Sequence, residues 1–182
     1  SSNSTNNKIE VLKNYFLSNE PIDNSWTVYL LTGKNNKRFV SGRYLRDLFS
    51  ELYDYPQWLI DTCYLKVGDS AEVITLLLKN KNASHTKNIN KVSLNDLLSK
   101  ILPELLKLNE EEKKLRIKKV WETLPEEDHL TFNKILTGTF RVGVSLGLIT
   151  KSIAKLINID EEIISHRLMG DFKPSINSYE FL

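Results

Sequence analysis

The chain has 182 residues, 41% hydrophobic and 26% charged, with a net charge of +2. That is enough for one domain or two small lobes around a real core, and five prolines with seven glycines argue against a turn-rich β-sandwich. One cysteine, Cys63, excludes a disulfide framework and fits a reducing cytoplasm, and apolar runs as short as Leu76-Leu77-Leu78 leave nothing that spans a membrane.

The start, "SSNSTNNK", has no signal-peptide core and no methionine, so an excised segment is expected. Ile9, Leu12 and Phe16 then form a helical stripe, predicting a helix over 6–18; Ile22, Trp26, Tyr29 and Leu30 predict a second over 22–32. Helices follow at 42–53 and 56–66, the latter with Cys63 beside Tyr64 and Leu65 as a packed thiol. Asp69 three residues before Glu72 opens a helix over 70–79. The stretch "NKNASHTKNINK" has no apolar periodicity and is expected to be a mobile loop, 80–92, between two lobes at 1–79 and 93–182. Ser93 with Asp96, Asn109 with Glu112, and Thr123 with Glu126 repeat the capping spacing and place helices at 93–107, 110–123 and 126–137. Two more, 145–157 and 160–168, close the chain, the last led by Asp160-Glu161-Glu162. The expectation is an all-α fold of about ten helices, with "KRFVSG" the one candidate for extended chain. Trp26, Trp58 and Trp121 all read as core packing.

Charge is segregated. Between Asn24 and Arg46 there are five bases (Lys34, Lys37, Arg38, Arg43, Arg46) and no acid; between Val73 and Asn95, four lysines and no acid. Between His129 and Ile159 stand Lys134, Arg141, Lys151 and Lys155, again without an acid. Carboxylates gather instead at Glu104–Glu112 and Glu122–Asp128. Such segregation points either to a face for a polyanion or to lysine-rich polar loops with no common purpose.

Two of these segments echo one another. "LLTGKNNKRFVS" and "ILTGTFRVGVS" each run Leu-Thr-Gly, a basic loop, then a serine that opens a helix. In the second, Gly138 suits a helix C-terminus, Arg141 presents a planar fork to phosphate oxygens, Gly143 admits close backbone approach and Ser145 caps the next helix. The arrangement is a phosphate clamp or a tight helix connector with Arg141 in solvent; local chemistry leaves both open. Gly68 with Ser70 and Ala71, and Gly170 with Arg167 and Lys173, are weaker helix-end candidates of the same type. His85, His129 and His166 share no metal-ligand spacing with each other or with Cys63, and no phosphate-loop or dinucleotide motif occurs.

"NKILTGTFRVGVSLGLITKSIAKL" and "ISHRLMGDFKP", with "SWTVYLLTGKNNKRFVSGRYLRDL" and "VGDSAEVI" upstream, resemble the N-terminal DNA-binding domain of ATP-dependent DNA ligases, the bacterial type above all. The resemblance implies an all-helical domain with two pseudo-symmetric halves. It implies that helix-end loops hold the backbone of nicked duplex DNA across the minor groove, without sequence specificity. Carried over, Gly138, Arg141, Gly143 and Ser145 belong to one contact loop and Thr32, Gly33, Lys34 and Arg38 to another, with Gly68 and Asp69 shaping a third turn. Lys37, Arg43, Ser70, Lys134, Thr137, Thr139 and Lys151 complete the expected DNA-binding set. A Lys-x-Asp-Gly adenylation motif is absent, so the segment is expected to be non-catalytic, without cofactor or metal of its own. The nucleotidyltransferase and OB-fold domains, with their ATP and Mg²⁺, are expected elsewhere in the parent. The expected partners are nicked DNA and that catalytic domain, for a cytoplasmic monomer acting in repair or recombination. The rival expectation is a helical protein–protein adaptor with no nucleic-acid role.

Overall fold

A computed structural model describes residues 2–34, 37–82, 92–170, 172–180 and 182. The described residues form eleven helices and no strand, so the fold is all-α. In order they are α1 (Ser2–Ser18), α2 (Pro21–Leu31), α3 (Gly42–Tyr53), α4 (Gln57–Val67) and α5 (Ser70–Asn82). Next, α6 runs through Leu94–Asp96, a π-helical middle at Leu97–Ile101, and Leu102–Leu105. Then come α7 (Glu110–Thr123), α8 (His129–Leu136), α9 (Leu146–Ile157), α10 (Glu161–Met169) and α11 (Ile176–Glu180). The segment "KRFVSG" is not a strand; the Phe39 and Val40 N–H groups both donate to the Leu136 carbonyl, at 3.0 and 3.2 Å.

Local chemistry explains most boundaries. Ser41, Ser93 and Ser145 each accept a backbone N–H from three residues on, and Asn109 with Glu112 closes a full capping box. Asp69 accepts from the Glu72 N–H at 3.0 Å. The expected cap at Thr123 does not form: its hydroxyl turns back to the Lys119 carbonyl, and α8 is entered through a 3-10 turn, Glu126–Asp128. Helix α11 was not expected, because five residues are too few to show an apolar stripe; Tyr179, half-buried against the core, is what packs it.

The chain divides into two compact units, 1–35 with 141–182 and 36–140. These are not the expected lobes at 1–79 and 93–182; the chain leaves the first unit and returns to it, so a break in sequence is a poor guide to a break in packing. Most of the expected mobile loop, 80–92, lies outside the described residues.

In the unit of 1–35 and 141–182, α1 packs on α9, α9 on α10, and α2 on α11. Leu12, Phe16, Val28, Ile149, Ile153, Ile164, Leu168 and Phe172 make its core. Each fully buried side chain of this kind stabilises by about 1.5–3 kcal/mol.

In the unit of 36–140, α5 is central, contacting α3, α4 and α8. Phe49, Tyr53, Tyr55 and Trp121 stack nearby with ring centroids 4.9–6.3 Å apart. Asn133 links two of the unit's helices: Trp121 Nε1 donates to Asn133 Oδ1 at 2.8 Å, and Asn133 Nδ2 donates to Thr75 Oγ1 at 3.0 Å. His129 contacts the Trp121 carbonyl through Nε2 at 3.0 Å, and burial holds its imidazole below the usual range.

Trp121 is core, as expected, but Trp58 is not: it is 69% exposed on α4, alongside exposed Leu65. Cys63 is only half-buried.

Candidate nucleic-acid interface

The two Leu-Thr-Gly segments adopt one backbone design. Helix α2 ends on Thr32 (φ −74°, ψ −2°) and α8 on Thr137 (φ −86°, ψ −2°). Each threonine is followed by a left-handed glycine, Gly33 at φ 72° and Gly138 at φ 67°. The hydroxyls bond back to the preceding turn, Thr32 to Tyr29 O and Thr137 to Asn133 O. Each segment then ends on a serine cap, Ser41 for α3 and Ser145 for α9. These are also the segments along which the chain passes from one unit to the other, at 35/36 and 140/141.

Within the unit of 36–140, three separate stretches meet in an open cleft of about 310 Å³. Arg38, Gly42, Arg43 and Arg46 come from the start of α3 and the segment before it; Tyr64, Gly68, Asp69, Ser70 and Ala71 from the end of α4 and its turn into α5; Thr137 and Thr139 from the end of α8 and just beyond. Gly68 ends α4 at φ 79°, the left-handed geometry that turns the chain sharply into α5.

Helix α3 has no acid in its first turn, and the N–H groups of Gly42 and Arg43 have no hydrogen-bond partner among the described residues. Unpaired N–H groups at the positive end of a helix dipole favour an anion. The N-terminus of α5 differs, because Asp69 already supplies a carboxylate there. Burial alone would raise Asp69, but the hydrogen bond from Lys134, the Glu72 and Ala71 N–H groups and the Lys134 charge together hold it below the usual carboxylate range. Lys134 Nζ lies 2.5 Å from Asp69 Oδ2, and that pair closes the floor of the turn.

The expected DNA-binding residues therefore sort by what they touch. Arg38 and Arg43 line the cleft with their charges exposed, Arg38 Nε at 3.4 Å from the Thr137 carbonyl and Arg43 in a loose 3.6 Å pair with Asp47. Gly68, Ser70, Thr137 and Thr139 shape its walls; Thr137 is buried, its hydroxyl 2.9 Å from that of Thr139. Lys37 lies over the Phe39 ring at 5.7 Å. Lys134 is committed to Asp69.

In the unit of 1–35 and 141–182, Lys34 Nζ donates to the carbonyls of Leu168 (3.2 Å) and Gly170 (2.5 Å), so it caps the C-terminus of α10. Lys8, not among the expected residues, holds the Gly143 carbonyl at 3.0 Å. Arg141 and Lys151 are exposed and make no ion pair with the described residues. Gly143 has open space where a Cβ would stand and does not adopt positive φ.

Sequence reasoning missed Gly42 and Tyr64 and left Arg46 among the merely basic residues. Gly42 offered a readable signal, a glycine directly after a capping serine. Its use is close approach: a Cβ there would stand 2.8 Å from Ser70 Oγ.

Among the described residues no group of three or more His, Cys, Asp or Glu side chains could hold a metal ion, and no helix is long and apolar enough to cross a membrane. Residues 1–154 match the family model described as DNA ligase N terminus. No curated protein and no solved structure matches the chain.

Proposed function

We propose that this chain, which belongs to the DNA ligase N-terminus family, grips nicked duplex DNA by its sugar–phosphate backbone on behalf of an ATP-dependent ligase. The observation that carries the reading is the convergence of Arg38, Arg43 and Arg46 with the unpaired N–H groups of α3 on one cleft. Phosphate oxygens are met there by guanidinium forks and by a helix's positive end, both of which recognise charge and geometry rather than base identity. Arg141, exposed and unpaired, adds a cation from the second Thr-Gly loop.

Binding of this type releases condensed counterions, so affinity falls steeply as salt rises and is indifferent to sequence. Contact across the minor groove suits such readout, because the groove is followed along its phosphate walls. In the parent ligase, ATP and Mg²⁺ serve a separate nucleotidyltransferase domain that joins the strand ends. The present residues hold the duplex and keep the nick in reach of that domain, as a monomer, in repair or recombination in the cytoplasm.

The test is titration of labelled nicked, intact and single-stranded oligonucleotides at several salt concentrations. Salt-steep, sequence-independent affinity for duplex is expected. Failure to bind at low salt, or an affinity that ignores salt, would end this reading. An adaptor role has one observation in its favour, the exposed Trp58 and Leu65 on α4; it requires that removing the arginines leave partner binding intact and that DNA not bind.

A further inference from the structure

We propose that Arg46 is the pre-set phosphate ligand of the cleft, and that Asp61, Tyr64 and Ser70 act as its positioning frame. The inference rests on the DNA-binding reading above and assigns the work within it.

Arg46 differs from the other cations of the cleft in being fixed before any ligand arrives. Its side chain is 12% exposed, against 82% for Arg43. The guanidinium lies over the Tyr64 ring, its carbon 4.0 Å from the ring centroid. Nε donates to Asp61 Oδ1 at 3.3 Å and Nη1 to Ser70 Oγ at 2.5 Å. Three directions of a planar group are thereby set: one face by the ring, two edges by acceptors. Nη2 has no partner among the described residues, and Arg46 lines the cleft.

The placement is costly unless it serves something. Arg46 stands in the second turn of α3, near the positive end of the helix dipole, where a cation is disfavoured. Asp61 offsets the charge, yet remains half-exposed and also accepts from Gln57 at 3.2 Å. Gly42 belongs to the same device. Its missing Cβ lets the Ser70 hydroxyl come close to α3 and reach Arg46. A flexible exposed arginine loses rotamer freedom when it binds phosphate; one already held in place loses little.

Asp61 provides a test in which two explanations differ in sign. Removing a carboxylate beside a DNA site should tighten binding if only net charge matters. If Asp61 holds Arg46 in position, Asp61→Ala should weaken binding, by roughly three- to ten-fold. The measurements are nicked-duplex affinity across a salt series for the purified protein and for Asp61→Ala, Tyr64→Leu, Arg46→Ala and Arg46→Lys, each checked for folding by circular dichroism. Tyr64→Leu leaves charge unaltered and should also weaken binding, which keeps the test available should Asp61→Ala fold poorly.

Arg46→Ala should lose roughly ten-fold or more in affinity and lower the salt slope by about 0.9, one phosphate's worth. Arg46→Lys should not restore the loss, because an ammonium cannot bond Asp61 and Ser70 in one plane while stacked on a ring. A merely structural role would lower stability and leave the slope alone. If the wild type binds DNA while Asp61→Ala and Tyr64→Leu bind as well or better, the frame is refuted and the DNA-binding reading stands. If the wild type binds no DNA, both fall together.

Discussion

Replacing Gly138 with alanine should cost more than the same change at any other loop glycine, and the structure sets the size. An L-residue in the left-handed region costs about 1–2 kcal/mol. That term applies to Gly33, Gly68 and Gly138, at φ 72°, 79° and 67°. Around Gly33 and Gly68 a new Cβ meets nothing within 4 Å, so the cost ends there. At Gly138 it would lie 3.3 Å from both Cα and Cβ of Arg38 and 3.4 Å from its N. That backbone is not free to retreat, because the next two residues, Phe39 and Val40, are hydrogen-bonded to Leu136. Crowding adds about 1 kcal/mol, for a total of roughly 2–3 kcal/mol. In a protein of this size that corresponds to a fall in Tm of about 4–12 °C. Gly143→Ala, with ordinary φ and open space, should cost less than about 0.5 kcal/mol. Urea denaturation followed by tryptophan fluorescence measures the series. Equal stability of the Gly138 and Gly143 variants would refute the argument.

Arg141→Ala should leave stability unchanged, since the side chain is exposed and unpaired, while weakening DNA binding alike for all sequences and lowering the salt slope by about 0.9. A variant binding at wild-type strength would make Arg141 a solvent-exposed connector residue. Lys34→Met should do the reverse, lowering stability by about 1 kcal/mol through loss of the α10 cap and leaving the salt slope intact. A changed slope at unchanged stability would return Lys34 to the phosphate-contacting set. For Asp69 the folded carboxyl titrates below its unfolded value of 3.8, so its stabilising effect is complete above that pH and is lost as pH falls through the lower folded value. Asp69→Asn should therefore flatten the acid limb of the stability–pH curve; an unaltered limb would contradict the Asp69–Lys134 assignment.

Much of the helical framework could be read in advance because its causes are local. Ser41, Ser93, Asn109 and Ser145 cap helices through atoms three residues away, and the stripe Ile9-Leu12-Phe16 is buried as its spacing predicts. The likeness of the two Leu-Thr-Gly segments survives as matching dihedral angles at Thr32-Gly33 and Thr137-Gly138. Trp58 misled because an aromatic at helical spacing looks the same whether its face is covered or bare.

What the sequence determined by itself is the all-α class, most helix ends and the left-handed glycines, because backbone sterics, capping and apolar period act within a few residues; membership of the DNA ligase N-terminus family was legible separately, in the resemblance of its motifs. Tertiary structure alone decided which cations are available. Lys34 is taken by carbonyls 134 and 136 positions away and Lys134 by a carboxylate 65 positions away, whereas Ser70 and Asp61 fix the orientation of Arg46. A positive charge close to its partner in space is neutralised or aimed whatever its distance along the chain, and only packing brings such partners together.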